Sequence, residues 1–278
     1  MPILSDDDHA FFAENGYLVV PGAVPADNLR AMVEAIWEFT GLNPDDPQDW
    51  YRAPLPFGGM IEMYQHQAMW NNRQHPRVYQ AFAELLGTEK LWVSLDRVNL
   101  KPPRHPDHPE YDHKGFTHWD WDSSQPPSER RVQGVLYLTD TEADMGGFQC
   151  VPWLYKHFDE WVKTQPVDRN VRGPNLSGLT VEPIVGKAGD LIIWDVMLAH
   201  GNGHNVSTKP RLAQYISMFP ARPAASEQRE ERIRQWREHT PPKNKIFPGD
   251  PREIEETLGR TAELTPLGKK LLGLDDWE

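Results

Sequence analysis

The amino-acid sequence predicts a mostly β protein with flanking helices, its short strands forming a sandwich or barrel. Between residues 91 and 220, β-prone segments recur at short intervals, separated by turn signals. That rhythm belongs to sandwiches and barrels. Helical periodicity is confined to the first 90 residues and to the stretch after Pro220. Twenty-six Pro and 20 Gly among 278 residues call for many short elements joined by turns, not a helical bundle.

The first element is a helix over residues 5–15: Ser5 can cap it, Asp8 stands at the capping-box position, and Asn15-Gly16 closes it. Residues 17–20 form a compact strand ended by Pro21-Gly22. A second helix starts at Pro25 with Leu29, Met32, Val33, Ile36 and Trp37 on one stripe, and Gly41 stops it. A third covers residues 76–86 and buries Tyr79, Phe82 and Leu85. Residues 92–100 read as one strand and 105–114 as a polar loop, a mobile lid, holding His105, His108 and His113. Strands are expected around 116–121, 132–138, 147–151, 180–184, 190–194 and 212–219. A charged helix at 226–239, with 227–237 as its solvated face, leads through Pro241, Pro242, Pro248 and Pro251 to a last helical piece and Trp277. The expected division is one domain over 1–278: helical support at 1–90, a β core at 91–220 and a helical extension at 221–278 packed on its outside.

Composition narrows the function. A formal charge of −12 disfavours a nucleic-acid partner, whose phosphates need clustered Lys and Arg. No apolar run approaches a membrane span, and the acidic N-terminus lacks the basic start and apolar stretch of a signal peptide. The single cysteine, Cys150, rules out an intrachain disulfide or a Cys-based metal cluster and reads as a small buried hydrophobe. The expected location is cytoplasmic.

The chemistry starts at Thr117-His118-Trp119-Asp120. On an extended strand, residues two apart project to one face, so His118 and Asp120 can approach one metal ion. A lone His-x-Asp is weak. Downstream, Gly186–Asp190 forms a turn feeding the apolar run Leu191-Ile-Ile-Trp194, and His200 follows. Two imidazoles and one carboxylate on one face make an open iron(II) site. Arg211 stands eleven residues past His200 and begins the next strand, where its planar fork suits the remote carboxylate of 2-oxoglutarate.

These residues resemble the phytanoyl-CoA dioxygenase family of iron(II)/2-oxoglutarate-dependent oxygenases. The resemblance rests on His118-x-Asp120, Gly189-Asp-Leu191, and His200 through Asn205, Ser207 and Arg211. Gln133-Gly-Val-Leu-Tyr-Leu-Thr-Asp140, Gly146-Gly-Phe-Gln-Cys-Val-Pro152, Gly16–Gly22 and 264–273 extend it over nearly the whole chain. It implies a double-stranded β-helix, the jelly-roll or cupin-like barrel. It implies His118, Asp120 and His200 as ligands of Fe(II), Arg211 with Ser207 on the distal carboxylate of 2-oxoglutarate, and Asn99, then Lys101, as further contacts to that cosubstrate. The implied reaction is hydroxylation by molecular oxygen with release of succinate and CO2.

Two departures bear on specificity. Pro152-Trp-Leu-Tyr155 replaces the Pro-Gly-Ser-His of many members, and Asp120 occupies the place where halogenating relatives carry a small residue. His204 competes with His200, but only His200 keeps the family's spacing to Arg211. Trp119 and Trp121 divide between packing and pocket; Met60, Glu62, Met63, Tyr64 and Trp70 are candidates to touch substrate. No Lys/Arg cluster offers to hold a CoA phosphate, so a small polar metabolite or natural-product intermediate is the expected substrate. A cupin-like metal enzyme without 2-oxoglutarate, or a non-catalytic binding module, would keep the same barrel. The first would not need Arg211, and the second would be marked by a lost ligand.

Overall fold

A computed structural model describes residues 2–52, 57–125, 127, 129–222, 224–242 and 250–278. Helix α1 spans Asp6–Asn15 under the Ser5/Asp8 capping box and ends at Gly16, whose φ of 75° only glycine adopts freely. β1 (Tyr17–Val20) and α2 (Ala26–Thr40) follow, with Met32 and Ile36 fully buried. Next come β2 (Met60–Ile61), the unforeseen α3 (Gln67–Arg73), and α4 (Pro76–Leu86). The expected strand at 92–100 is two strands, β3 (Leu91–Val93) and β4 (Val98–Lys101), which pair in different sheets. The chain then runs through β5 (Val132–Tyr137), β6 (Phe148–Cys150), α5 (Pro152–Lys156), α6 (Phe158–Trp161), β7 (Glu182–Pro183) and β8 (Leu191–Asp195). β9 (His200–Asn202), β10 (Arg211–Tyr215), β11 (Met218–Pro220), α7 (Ser226–Glu238), α8 (Ile254–Leu258) and α9 (Pro266–Leu272) complete it.

The strands form antiparallel sheets: a six-stranded one ordered β1-β8-β5-β10-β4-β2, a three-stranded β7-β6-β9, and the pair β11-β3. Against the expectation of a barrel, the ladder among the described residues does not close. β6, β7 and β9 are two or three residues long, and isolated bridges (Thr141 to Gly186, Met145 to Asn205, His118 to His200) are what continue their pairing. The expected strand at 116–121 is reduced to that last bridge, because the next N–H groups turn elsewhere: Trp119 N donates to the Arg172 carbonyl and Ser123 N to that of Val171.

Parity sorts the large sheet into two faces. Leu100, Leu136, Leu191, Ile193 and Leu212 pack with the helical layer of α2, α3 and α4. Their neighbours Val135, Tyr137, Ile192, Trp194 and Ala213 face the small sheet and pack with Phe148, Cys150 and Leu198. Gly134 has no room for a Cβ, which would strike the Ile216 carbonyl and the Phe82 ring of α4.

The C-terminal segment lies against β3: the Trp277 indole donates to the Leu91 carbonyl. The charged helix α7 is not solvated all round. Arg232, 7% exposed, donates to the carbonyls of Val93, Leu271 and Leu272 and packs over Trp92 and Phe219. Of the proline-rich run, Pro248 lies outside the described residues.

Candidate metal centre

His118, Asp120 and His200 each bring a ligand atom into one cluster, all within 4.8 Å of one another. His200 opens β9 and exchanges backbone hydrogen bonds with His118, which sets the rings 4.8 Å apart. The approach depends on Gly201, where a Cβ would collide with the Phe116 carbonyl. The Asp120 carboxylate lies 3.3 Å from His118 Nε2 and 3.7 Å from His200 Nε2.

The donor set suits a divalent cation. His200 Nδ1 lies 2.9 Å from the Leu198 carbonyl, an acceptor only, so Nδ1 carries the proton and Nε2 keeps its lone pair for the cluster. Partial desolvation pushes the Asp120 carboxyl up, yet the facing His118 and His200 rings and the amide of Gln133 outweigh it and hold the group well below the ordinary carboxylate range. Asp120 is therefore ionised at neutral pH. His118 Nδ1 is buried with no hydrogen-bond partner.

Arg211 opens β10 on the large-sheet face turned toward the small sheet, at 0% exposure. One of its terminal nitrogens donates to Asn99 Oδ1 at 2.9 Å, and the guanidinium carbon sits 5.6 Å from the centre of the Tyr137 ring. Its Nε and other terminal nitrogen have no partner. Those two lie on one edge of the guanidinium plane, the edge that grips a carboxylate with two parallel hydrogen bonds. Each buried donor left unsatisfied costs roughly 1–3 kcal/mol, so this edge is built for an acceptor.

The other sequence candidates divide. Asn99 stands two residues before Lys101 on β4, which pairs with Arg211 across the sheet, and all three face inward. Asn99 Nδ2 donates to the Gly58 carbonyl, which fixes its oxygen toward Arg211. Burial, then the Arg211 charge, pushes the Lys101 ammonium down to about 7; it hydrogen-bonds the Gly203 carbonyl. Ser207 is not brought to Arg211: its hydroxyl bonds Asn205 Oδ1 and the Lys209 carbonyl within a turn. His204 is turned away from the cluster and pairs with Asp112. That pair tethers the 105–114 loop, in which His108 stacks on Tyr51 at 5.0 Å.

Trp119 and Trp121 pack with Val151, Leu154 and Trp161 in a separate hydrophobic cluster. Of the segment considered for substrate, Met63, Tyr64 and Trp70 are core, while Met60 pairs with Asn99 at the site face. Gln133 and Trp194, unassigned from sequence, do reach the site: Gln133 Nε2 donates to Asp120 Oδ2 at 2.7 Å. Strand alternation from Val135 and Tyr137 was the signal that would have found Gln133. A cavity of about 530 Å³ lined by Phe39, His66 and Glu255 is separate, and none of the clustered residues lines it.

A family model described as phytanoyl-CoA dioxygenase matches residues 12–213. A Dictyostelium discoideum protein bearing the phytanoyl-CoA dioxygenase name is 22% identical, covering 76% of this chain and 74% of the relative. Ectoine dioxygenase of Bordetella bronchiseptica is 28% identical over 151 residues, 49% of this chain and 48% of the relative. Among solved structures, the epimerase SnoN in complex with Fe3+, alpha ketoglutarate and nogalamycin RO matches with a TM-score of 0.56 at 15% identity, over 78% of this chain and 83% of that one. At that identity the likeness is one of fold. It is the jelly roll of iron/2-oxoglutarate oxygenases, shared here without a closed barrel.

Proposed function

The chain belongs to the phytanoyl-CoA dioxygenase family, and from that premise we propose that His118, Asp120 and His200 hold its iron(II) and Arg211 the distal carboxylate of its 2-oxoglutarate. The activity is that of an iron(II)- and 2-oxoglutarate-dependent dioxygenase acting on a small molecule with oxygen. We propose further that the outcome is hydroxylation of a small polar metabolite or natural-product intermediate. One domain over 1–278 and a cytoplasmic location complete the reading. No helix among the described residues is long and apolar enough to cross a membrane.

One observation carries the assignment of Arg211: a fully buried guanidinium keeps a carboxylate-shaped edge unpaired, on the large-sheet face turned toward the small sheet that holds His200. Bound iron with 2-oxoglutarate supplies the oxygen-activating chemistry that couples hydroxylation to release of succinate and CO2. The chain's own residues provide position. His200 offers Nε2 because its Nδ1–H donates to the Leu198 carbonyl. Asp120 supplies the one anionic ligand, which with two neutral imidazoles leaves positions open for cosubstrate and oxygen. Arg211 fixes the far end of the cosubstrate, and Asn99 fixes Arg211. Tyr137 packs against the Arg211 guanidinium, and Trp194 and Phe148 pack against the His200 ring.

The test is an anaerobic titration of iron(II)-loaded protein with 2-oxoglutarate. A visible charge-transfer band is expected in wild type and in no His200→Ala preparation. Absence of the band in wild type, or substrate oxidation that proceeds without 2-oxoglutarate, would overturn the reading. A substrate screen scored by 2-oxoglutarate-dependent succinate then identifies the molecule oxidised.

A further inference from the structure

Asp120 is the ligand with the least support from its own backbone. It belongs to no strand, whereas His118 and His200 are tied together by paired backbone hydrogen bonds. Its side chain is 44% exposed. Apart from the two histidines, the hydrogen bond its carboxylate accepts from a side chain among the described residues comes from Gln133 Nε2, 2.7 Å from Oδ2.

That amide has one possible orientation. Gln133 Oε1 lies 3.2 Å from Trp194 Nε1. An indole N–H can only donate and an ionised carboxylate can only accept, so the Gln133 oxygen must face Trp194 and its NH2 must face Asp120. The two residues are also direct cross-strand partners on β5 and β8, which gives the pair a rigid base. Trp194 does more: its ring lies 4.9 Å from the His200 ring and 4.5 Å from that of Phe148. One indole thus fixes the residue behind Asp120 and packs against a second ligand.

We propose that Gln133, locked by Trp194, is the positioning residue for Asp120. It occupies Oδ2 and leaves Oδ1, the oxygen turned toward His118 Nε2 at 3.3 Å, for the metal. The inference rests on the ligand assignment above and adds that metal affinity is set from the strand behind the site. Outer partners of metal ligands typically contribute about 10- to 100-fold in affinity.

The experiment measures Ni(II) affinity of the metal-free full chain by competition with a chromophoric chelator. Ni(II) binds nitrogen and oxygen sites more tightly than iron(II), which keeps weakened sites measurable. Gln133→Leu, of similar size but without a donor, is expected to weaken binding by about tenfold or more. Trp194→Phe removes the N–H together with part of the buried indole but keeps an aromatic ring in place, and it should weaken binding by a smaller factor. In an Asp120→Ala background, Gln133→Leu should cause no further loss, because the residue acts through Asp120. Unchanged affinity in Gln133→Leu would overturn the proposal, as would an equal loss with and without Asp120. Should Gln133→Leu fail to fold, unchanged affinity in Trp194→Phe overturns it instead. A wild-type chain that binds no Ni(II) would sink the metal-centre reading itself and this proposal with it. Normal wild-type binding with an indifferent Gln133→Leu would sink this proposal alone.

Discussion

Buried arginines in two regions of the molecule meet opposite fates. In the helical layer, Arg73 donates to the carbonyls of Tyr64 and Asp96 and leaves only Nε unpaired. Arg232 donates to three carbonyls, those of Val93, Leu271 and Leu272. On the inner face of the large sheet, Arg211 makes one such bond, to Asn99, and leaves two adjacent donors empty. The same residue type is a structural staple where carbonyls surround it and keeps donors free, for the cosubstrate in the function proposed above, where they do not. Burial alone separates nothing here, since Arg73 and Arg211 are both 0% exposed. The census of partners does.

The comparison can be broken at several points. The largest expected effect is on the inner face: His200→Ala or Asp120→Ala should reduce 2-oxoglutarate-dependent succinate formation to background, with the thermal midpoint of metal-free protein barely moved. A large fall in that midpoint would mean that these residues hold the fold instead. Arg211→Met should weaken 2-oxoglutarate by about 2–5 kcal/mol, the usual loss for one partner of a buried charge pair. It should destabilise the metal-free chain less than Arg232→Met does, because it strands one acceptor, Asn99 Oδ1, while removing two unsatisfied donors. KM for the cosubstrate and a denaturant melt check both halves.

Arg232→Met should do the reverse, costing about 3 kcal/mol of stability in a denaturant melt by stripping three carbonyls of their donor, while KM stays put. The smallest effect concerns Glu255, whose carboxyl burial pushes up to about 7 against backbone N–H bonds from Tyr64 and Gln65 that pull it down. The folded chain then keeps a proton that the unfolded chain releases near its ordinary pKa of 4.5. This group's contribution is full below that lower value and is lost as pH rises through about 7. Relative to Glu255→Gln, wild type should gain about 1 kcal/mol on acidification by one pH unit within that window, read from unfolding at two pH values.

Much of the helical layer was legible because its signals are local. The Ser5/Asp8 box, the stripe Met32–Ile36 and the closing Gly16 and Gly41 each specify backbone geometry within a few residues. The clustering of His118, Asp120 and His200 was legible for a different reason: few residue types make an open metal site, and the resembled family's interval to Arg211 singles out His200 over His204. His204 illustrates the limit. Its pairing with Asp112 joins residues 92 positions apart, and no spacing rule announces it. The family resemblance placed Ser207 with Arg211, while its hydroxyl is engaged by Asn205 and Lys209 within a turn. The break in residues 92–100 and the loss of the strand at 116–121 have the same origin, since pairing partners decide whether an extended segment becomes a strand.

By itself the sequence determined the alternation within the central strands, the boundaries of α1, α2, α4 and α7, and the chemical types available for a metal and a carboxylate. All of these follow from periodicity and donor inventory, which are properties of neighbouring residues. Only the tertiary structure decided that Gln133 stands behind Asp120, that Leu198 sets the His200 proton, and that Arg211 keeps one edge free. A hydrogen bond is fixed by position in space to a few tenths of an ångström, and that position comes from the packing of strands distant in the chain.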